Sequence, residues 1–206
     1  MKKKYLRWIQ LALVFVLAWS IFTIYNYVQK DERFDETQAS YLEFMDDQAD
    51  ATEEDSAPTS TTTKKDDGEM ALEEKAAKKP LDPKVEAIRD LRKRYPDVIG
   101  RIKIEGTVID YPVVQGIDNE FYLDHNFRGE AHDFGAIFLD ADHDPEFQTK
   151  NAVLYGHNVR SGKMFDPLAG YKDEAFFKEH PKIELRTLNE PRTYRIFVEF
   201  NAEPDA

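Results

Sequence analysis

From Trp8 to Val28 the chain carries no charged residue and is built mostly from Leu, Ile, Val, Phe, Ala and Trp. A helix rises about 1.5 Å per residue, so roughly 20 such residues cross a 30 Å hydrocarbon layer. The run therefore predicts one membrane-spanning helix. Its polar members, Gln10, Ser20, Thr23 and Asn26, are uncharged, and Trp8, Tyr25 and Tyr27 lie near its ends, where amphipathic rings favour the interface. Lys2, Lys3, Lys4 and Arg7 precede it, which by the positive-inside rule puts Met1 in the cytoplasm and everything after Lys30 outside. A cleaved signal peptide also begins basic and turns apolar, but its apolar stretch is shorter and closes on small residues, whereas this one closes on Tyr25-Asn26-Tyr27. The expectation is a single-pass protein of the cell membrane, with residues 1–30 as cytoplasmic tip and uncleaved anchor and residues 8–28 in the lipid bilayer.

The pattern then fades. Residues 31–80 are acidic, rich in Thr, Ser, Ala and Lys, and poor in branched aliphatics, with a low-complexity centre at Ala57-Pro58-Thr59-Ser60-Thr61-Thr62-Thr63. Such a stretch buries too little apolar surface to offset the entropy of ordering it. It reads as a disordered spacer, with transient helix at 70–79 left open and an acidic binding arm as the alternative. Order resumes over 81–206. Asp82 suits an N-cap and Pro83 the first helical position, Val85, Ile88, Leu91 and Tyr95 recur at helical spacing, and Pro96 ends the helix. Short β-type runs follow near 102–104, 107–109, 113–114, 136–139, 152–155, 182–186 and 194–200, with short helices at 119–123, 164–168 and 173–179. The fold class is mainly β: a small barrel decorated by helical insertions and preceded by one transmembrane helix.

Charge changes the list of partners. The net charge of −12 divides into +5 over 1–30, −10 over 31–80 and −7 over 81–206. Only the short N-terminus is basic, so nothing offers the positive footprint that a phosphate backbone requires, and no nucleic acid is expected. The 206 residues include no cysteine, which excludes disulfides, thiolate metal sites and a cysteine nucleophile within them.

Several segments together carry a resemblance. Tyr95-Pro96-Asp97-Val98-Ile99-Gly100, Ile104-Glu105-Gly106-Thr107 and Asp110-Tyr111-Pro112-Val113-Val114-Gln115-Gly116 come first. Asn119, Tyr122 and Leu123, then Gly135-Ala136-Ile137-Phe138-Leu139-Asp140, follow. Asn151-Ala152-Val153-Leu154-Tyr155-Gly156-His157-Asn158, Met164-Phe165 and Leu168 complete the series. In this order and at these intervals they resemble the opening of a class B sortase catalytic domain over about residues 85–200. The resemblance implies a sortase-type β-barrel and a cysteine transpeptidase on the outer face of a Gram-positive membrane. Such enzymes cleave a C-terminal sorting motif of a surface protein, hold the acyl group as a thioester and pass it to an amine of a peptidoglycan precursor or a pilin.

That chemistry needs a thiolate, a proton carrier for the leaving amine and a donor to the oxyanion. By resemblance, His157 is the proton carrier, and an imidazole suits the task because it titrates near neutrality. Asn119, Leu123 and Tyr155 are the residues that would bind the sorting motif. Asn119 and Leu123 have a bland alternative, a helix cap and a core leucine. His125, His132, His143 and His180 match no motif and read as surface residues. The family's cysteine and arginine lie on late strands, while this chain ends at Ala206, so the expectation is a truncated, incomplete barrel that is inactive as given. Arg192 and Arg195 belong to an earlier strand and do not replace the missing arginine. A non-catalytic, membrane-anchored protein that binds peptide or cell wall is the alternative. Arg101 departs from the family, whose members usually carry Trp there.

No cofactor or metal is called for. Asp140-Ala141-Asp142-His143-Asp144 alternates acids like a calcium loop, but the sixth and twelfth positions hold Pro145 and Asn151 where an EF-hand needs Gly and Glu, so a solvated turn is expected. Ser161 lies near His157 without a G-x-S-x-G elbow and reads as a loop serine.

Overall fold

The computed structural model describes residues 2–53 and 82–198. The apolar run lies in α1 (Lys2–Glu53), which at about 1.5 Å per residue is about 80 Å long. Its span from Gln10 onward is long and apolar enough to cross a membrane, with a mean hydropathy of 1.9 in an 18-residue window, none of which is buried.

The segment expected to be a disordered spacer is helical through Glu53, and residues 54–81, including 57–63 and 70–79, lie outside the described residues. The reason is a sparse apolar stripe. Phe34, Tyr41 and Met45 fall at helical spacing among acids and are buried against the domain. Composition averaged over 50 residues hides three such positions.

In α2 (Pro83–Arg94) the first turn is closed by Val85 and Glu86 N–H groups donating to the Asp82 carbonyl. Val85, Ala87, Ile88 and Leu91 face inward, and Arg92, Lys93 and Arg94 sit at the negative end of the helix dipole. The sheet follows. Its strands are β1 (Val98–Lys103), β2 (Asp110–Val114), β3 (Ile137–Leu139), β4 (Leu154–Tyr155), β7 (Lys182–Thr187) and β8 (Pro191–Arg195), in the order β4-β3-β2-β1-β7-β8. A separate hairpin pairs β5 (Asn158–Val159) with β6 (Lys163–Met164). All neighbours are antiparallel except β2 and β3, whose parallel pairing requires the crossover 115–136. That crossover holds the short 3-10 turn Phe121–Leu123.

Both faces of the curled sheet are covered, as period-two alternation shows. Val113, Ile137 and Leu139 point into one core with Ile102, Tyr111, Met164 and Leu185, whereas Val114, Ala136 and Phe138 point into another with Ile88, Leu91, Tyr41 and Met45. Phe34 joins the first core and Tyr41 the second, so α1 reaches both cores while Gln38 bonds the Asp110 carbonyl at the start of β2.

Several boundaries differ from the sequence reading, β1 for instance starting at Val98 and β4 at Leu154. Residues 107–109 are a turn because Thr107 Oγ1 donates to the Ile104 carbonyl at 2.8 Å and accepts the Ile109 N–H at 3.1 Å. Met164 belongs to β6, its N–H donated to Tyr111 Oη at 3.1 Å, and helical structure starts only at the 3-10 segment Asp166–Lys172. The last strand is Pro191–Arg195, set by pairing with β7, while residues 199–200 lie outside the described residues. The helix expected at 173–179 is α3 (Glu174–Glu179), with Asp173 as its side-chain cap.

Candidate active site

His157 follows β4 and precedes β5, where the chain turns from the sheet into the hairpin. Gly156 before it has no room for a side chain: a Cβ there would lie 2.4 Å from Ile137 Cδ1 and 2.7 Å from Phe165 Cδ2. The His157 carbonyl accepts the Phe165 N–H at 2.9 Å, closing the base of the hairpin. Its Nε2 lies 2.6 Å from the Leu123 carbonyl oxygen. A carbonyl only accepts, so Nε2 carries the proton and donates. A half-buried imidazole is thus fixed at the end of the 3-10 turn, 34 residues away in sequence.

The structure brings the other predicted residues into the same place. Asn119 Nδ2 donates to Asp140 Oδ2 at 3.0 Å, and its Oδ1 accepts the Ala141 N–H at 2.8 Å. It is not the cap of the 3-10 turn. Asp118 instead binds the start of that turn, its Oδ1 accepting from the Phe121 and Glu120 N–H groups, which holds its carboxyl below the usual range. Leu123 is 45% exposed, so the core-leucine reading fails. Tyr155, also exposed, donates its hydroxyl to Asp140 Oδ2 at 2.9 Å while its ring packs on Phe138.

Asp140, which closes one of the segments carrying the resemblance and opens the turn expected to be solvated, gathers the site. Its Oδ1 accepts the Asp142 N–H at 3.0 Å and faces His143 Nδ1 at 3.2 Å. Its carbonyl and that of His143 both accept from Gln115 Nε2, at 2.9 and 2.8 Å. The Asp142 N–H and then the Tyr155 hydroxyl pull the Asp140 carboxyl below its ordinary value, and the same carboxylate raises the Tyr155 phenol. The signal was present: an aspartate that closes a buried Ile137-Phe138-Leu139 strand sits at a defined height, unlike one in a free loop. Among the described residues no cluster of three or more His, Asp or Glu is placed to hold a metal ion.

Two histidines expected on the surface are not there. His132 is 7% exposed, its Nδ1 accepting the Phe134 N–H and its Nε2 donating to the Lys30 carbonyl. The His180 side chain is 9% exposed and its Nδ1 reaches the Glu105 carbonyl at 2.7 Å. Ser161 lies in the hairpin turn and helps Lys163 hold the Asp31 carboxyl low.

A cleft of about 580 Å³ lies between β4 and the β7–β8 hairpin, with Leu154, Ile183, Leu185 and Tyr194 on its walls.

The crossover thus leads through β3 to an imidazole just beyond the edge strand β4. The sortase domain family matches residues 102–206. The chain is 44% identical over 94 residues to sortase B of Listeria monocytogenes, covering 46% of this chain and 38% of that protein. Among solved structures, sortase B from B. anthracis in complex with AAEK1 superposes with a TM-score of 0.52 at 35% identity, over 58% of this chain and 59% of that one. A Staphylococcus aureus sortase B–substrate complex gives 0.53 at 34% identity, over 54% and 52%. The chain belongs to the sortase family, and its domain is of the class B kind. It spans about two-fifths of the length of its curated Listeria relative.

Proposed function

We propose that this chain supplies the His157-bearing part of a class B sortase site, in which the imidazole carries the proton to the leaving amine while a sorting motif of a surface protein is cleaved. The observation that carries the reading is the fixed ring of His157, with a proton on Nε2 held by the Leu123 carbonyl at 2.6 Å and within reach of the half-exposed Leu123 side chain. That bond orients the ring, and the proton for the leaving amine is one taken up on Nδ1, the nitrogen that the Leu123 carbonyl does not engage. The sorting peptide would lie across Leu123 and the face of Tyr155. Thioacyl chemistry also needs a thiolate, and the 206 residues contain none. The chain alone therefore binds a sorting peptide without cleaving it, and passes no acyl group to a peptidoglycan or pilin amine. Incubation with a fluorogenic sorting peptide tests this: turnover above a His157→Ala control would overturn it, and saturable binding without turnover supports it.

A second reading, which rests on the exposed Leu123 and Tyr155 alone, is a non-catalytic binder of surface or cell-wall peptides. The two separate when the chain is joined to the late strands of a sortase that carry its cysteine: cleavage lost in His157→Ala supports the first reading, and peptide binding with no cleavage supports the second.

The placement of the domain belongs to the proposal as well. Residues 8–28 would cross the membrane with the N-terminus in the cytoplasm, because Leu11, Phe15 and Trp19 are each more than 60% exposed on a helix apolar all round. With no native cysteine, introduced ones are unique probes. An impermeant maleimide applied to intact cells labels Ser161→Cys and spares Lys3→Cys; the reverse pattern rejects the topology.

A further inference from the structure

We propose that Asp140 is the positioning residue for the His157 imidazole, acting through both segments that define where the ring lies. The proposal rests on the reading of His157 as the functional group of the site. The geometry is a closed loop of contacts. Asp140 Oδ2 accepts from Asn119 Nδ2 at 3.0 Å and from Tyr155 Oη at 2.9 Å. Asn119 opens the stretch that ends at Leu123, whose carbonyl takes the Nε2 proton. Tyr155 lies two residues before His157 on β4, so one carboxylate oxygen ties acceptor and donor arms together. Asn119 Oδ1 closes the pin by accepting the Ala141 N–H, and Gln115 fixes the backbone of 140–143 from beneath. Asp140 itself ends β3, the strand to which β4 is paired through Phe138↔Tyr155 and Leu139↔Leu154.

The alternative is that Asp140 only stabilises its own turn through Asp142 and His143. The two differ in what they do to a ring that Asp140 never touches. A Leu123 carbonyl held in place keeps the neutral ring in the Nε2–H form, whereas a displaced one lets the two tautomers mix.

The test is histidine-selective ¹⁵N NMR on the full chain in alkaline solution, with His157 assigned by its loss in His157→Gln. In the native chain its two ring nitrogens resonate far apart, the protonated one at Nε2. Asp140→Ala moves them toward each other, while the His132 pair, held by Lys30 and Phe134, stays where it was. Tyr155→Phe, which removes one hydroxyl from an exposed side chain, makes the same shift to a smaller extent and keeps the test decisive if Asp140→Ala does not fold. If the His157 signals are unmoved in Tyr155→Phe and in any folded Asp140→Ala protein, the positioning role is overturned. The readout requires no turnover, so loss of the proposed function leaves this result standing and the converse holds too.

Discussion

At the scale of single residues, His132 shows how burial selects a protonation state. Its Nδ1 accepts the Phe134 N–H and its Nε2 donates to the Lys30 carbonyl, so the neutral ring satisfies both contacts and the charged ring breaks one. Burial, with Arg33 and Lys163 nearby, depresses its pKa below the ordinary 6.5, although the Lys30 carbonyl and Asp133 act the other way. The folded state therefore binds this proton less readily than the unfolded chain, and its stabilisation is complete above pH 6.5 and lost as pH falls through the depressed value. Asp31 and Asp133 are depressed carboxylates, whose contribution disappears only below about the ordinary 3.8. Melting midpoints of the domain accordingly drop between neutral and mildly acidic pH, and His132→Gln flattens that window; an unchanged slope in the variant would remove His132 as the cause. This burial is not legible along the chain because the covering ring, Phe34, is 98 positions away.

Arg101 acts on the same scale, through an ion pair. Its guanidinium meets Asp110 in two bonds of 2.5 and 2.6 Å, and lies 5.9 Å from the centre of the Tyr41 ring. The two side chains are 10% and 16% exposed. Arg101→Ala leaves Asp110 half-buried with only Lys103 at 3.6 Å, and breaking a buried pair costs about 3–5 kcal/mol. Chemical denaturation of the variant measures it, and a loss below about 1 kcal/mol contradicts the pairing as described.

Among the elements, α1 does more than tether. After the apolar run it lays Phe34 against Tyr111, His132 and Phe134, and Lys163 of β6 reaches back to Asp31 at 2.8 Å and Asp35 at 2.7 Å. Lys30 pairs with Asp133, Arg128 with Ser40, and Gln38 donates to the Asp110 carbonyl. Phe34→Ala should cost about 3–5 kcal/mol through the void it leaves, and it should open residues 30–53 to limited proteolysis at a protease dose the native chain resists. Protection of that stretch in the variant would mean that the ionic contacts alone hold the helix. The element could not be recognised from composition, since acids dominate its exposed face and only the spacing of Phe34, Tyr41 and Met45 carries the signal.

The crossover makes a second element-scale prediction. Gly135 has φ 58°, and a Cβ there would lie 2.4 Å from the Tyr122 carbonyl and 2.7 Å from that of Leu123. Gly135→Ala must therefore move the 3-10 turn that presents the acceptor of His157. It should destabilise the domain by about 1–3 kcal/mol and shift the His157 ring resonances; a neutral substitution would show that the turn is not pinned there.

At the scale of the whole molecule, the barrel-type class and the order of its segments were legible because period-two strands and punctuating turns are local properties. The convergence of Asn119, Leu123, Tyr155 and His157 was legible only through family resemblance, and their division of labour was not. That division depends on Asp140, which a reader of the chain meets among other acids in a polar loop and naturally assigns to solvent. What the residues jointly build is an imidazole mounted between two segments of a sortase fold. The most direct test is a chimera in which residues 82–198 replace the matching part of Listeria monocytogenes sortase B, assayed for cleavage of that enzyme's sorting peptide with and without His157→Ala. Cleavage by the chimera that falls by at least about 10³-fold in the variant is the predicted result. A folded chimera that cleaves equally well without the imidazole would contradict the account.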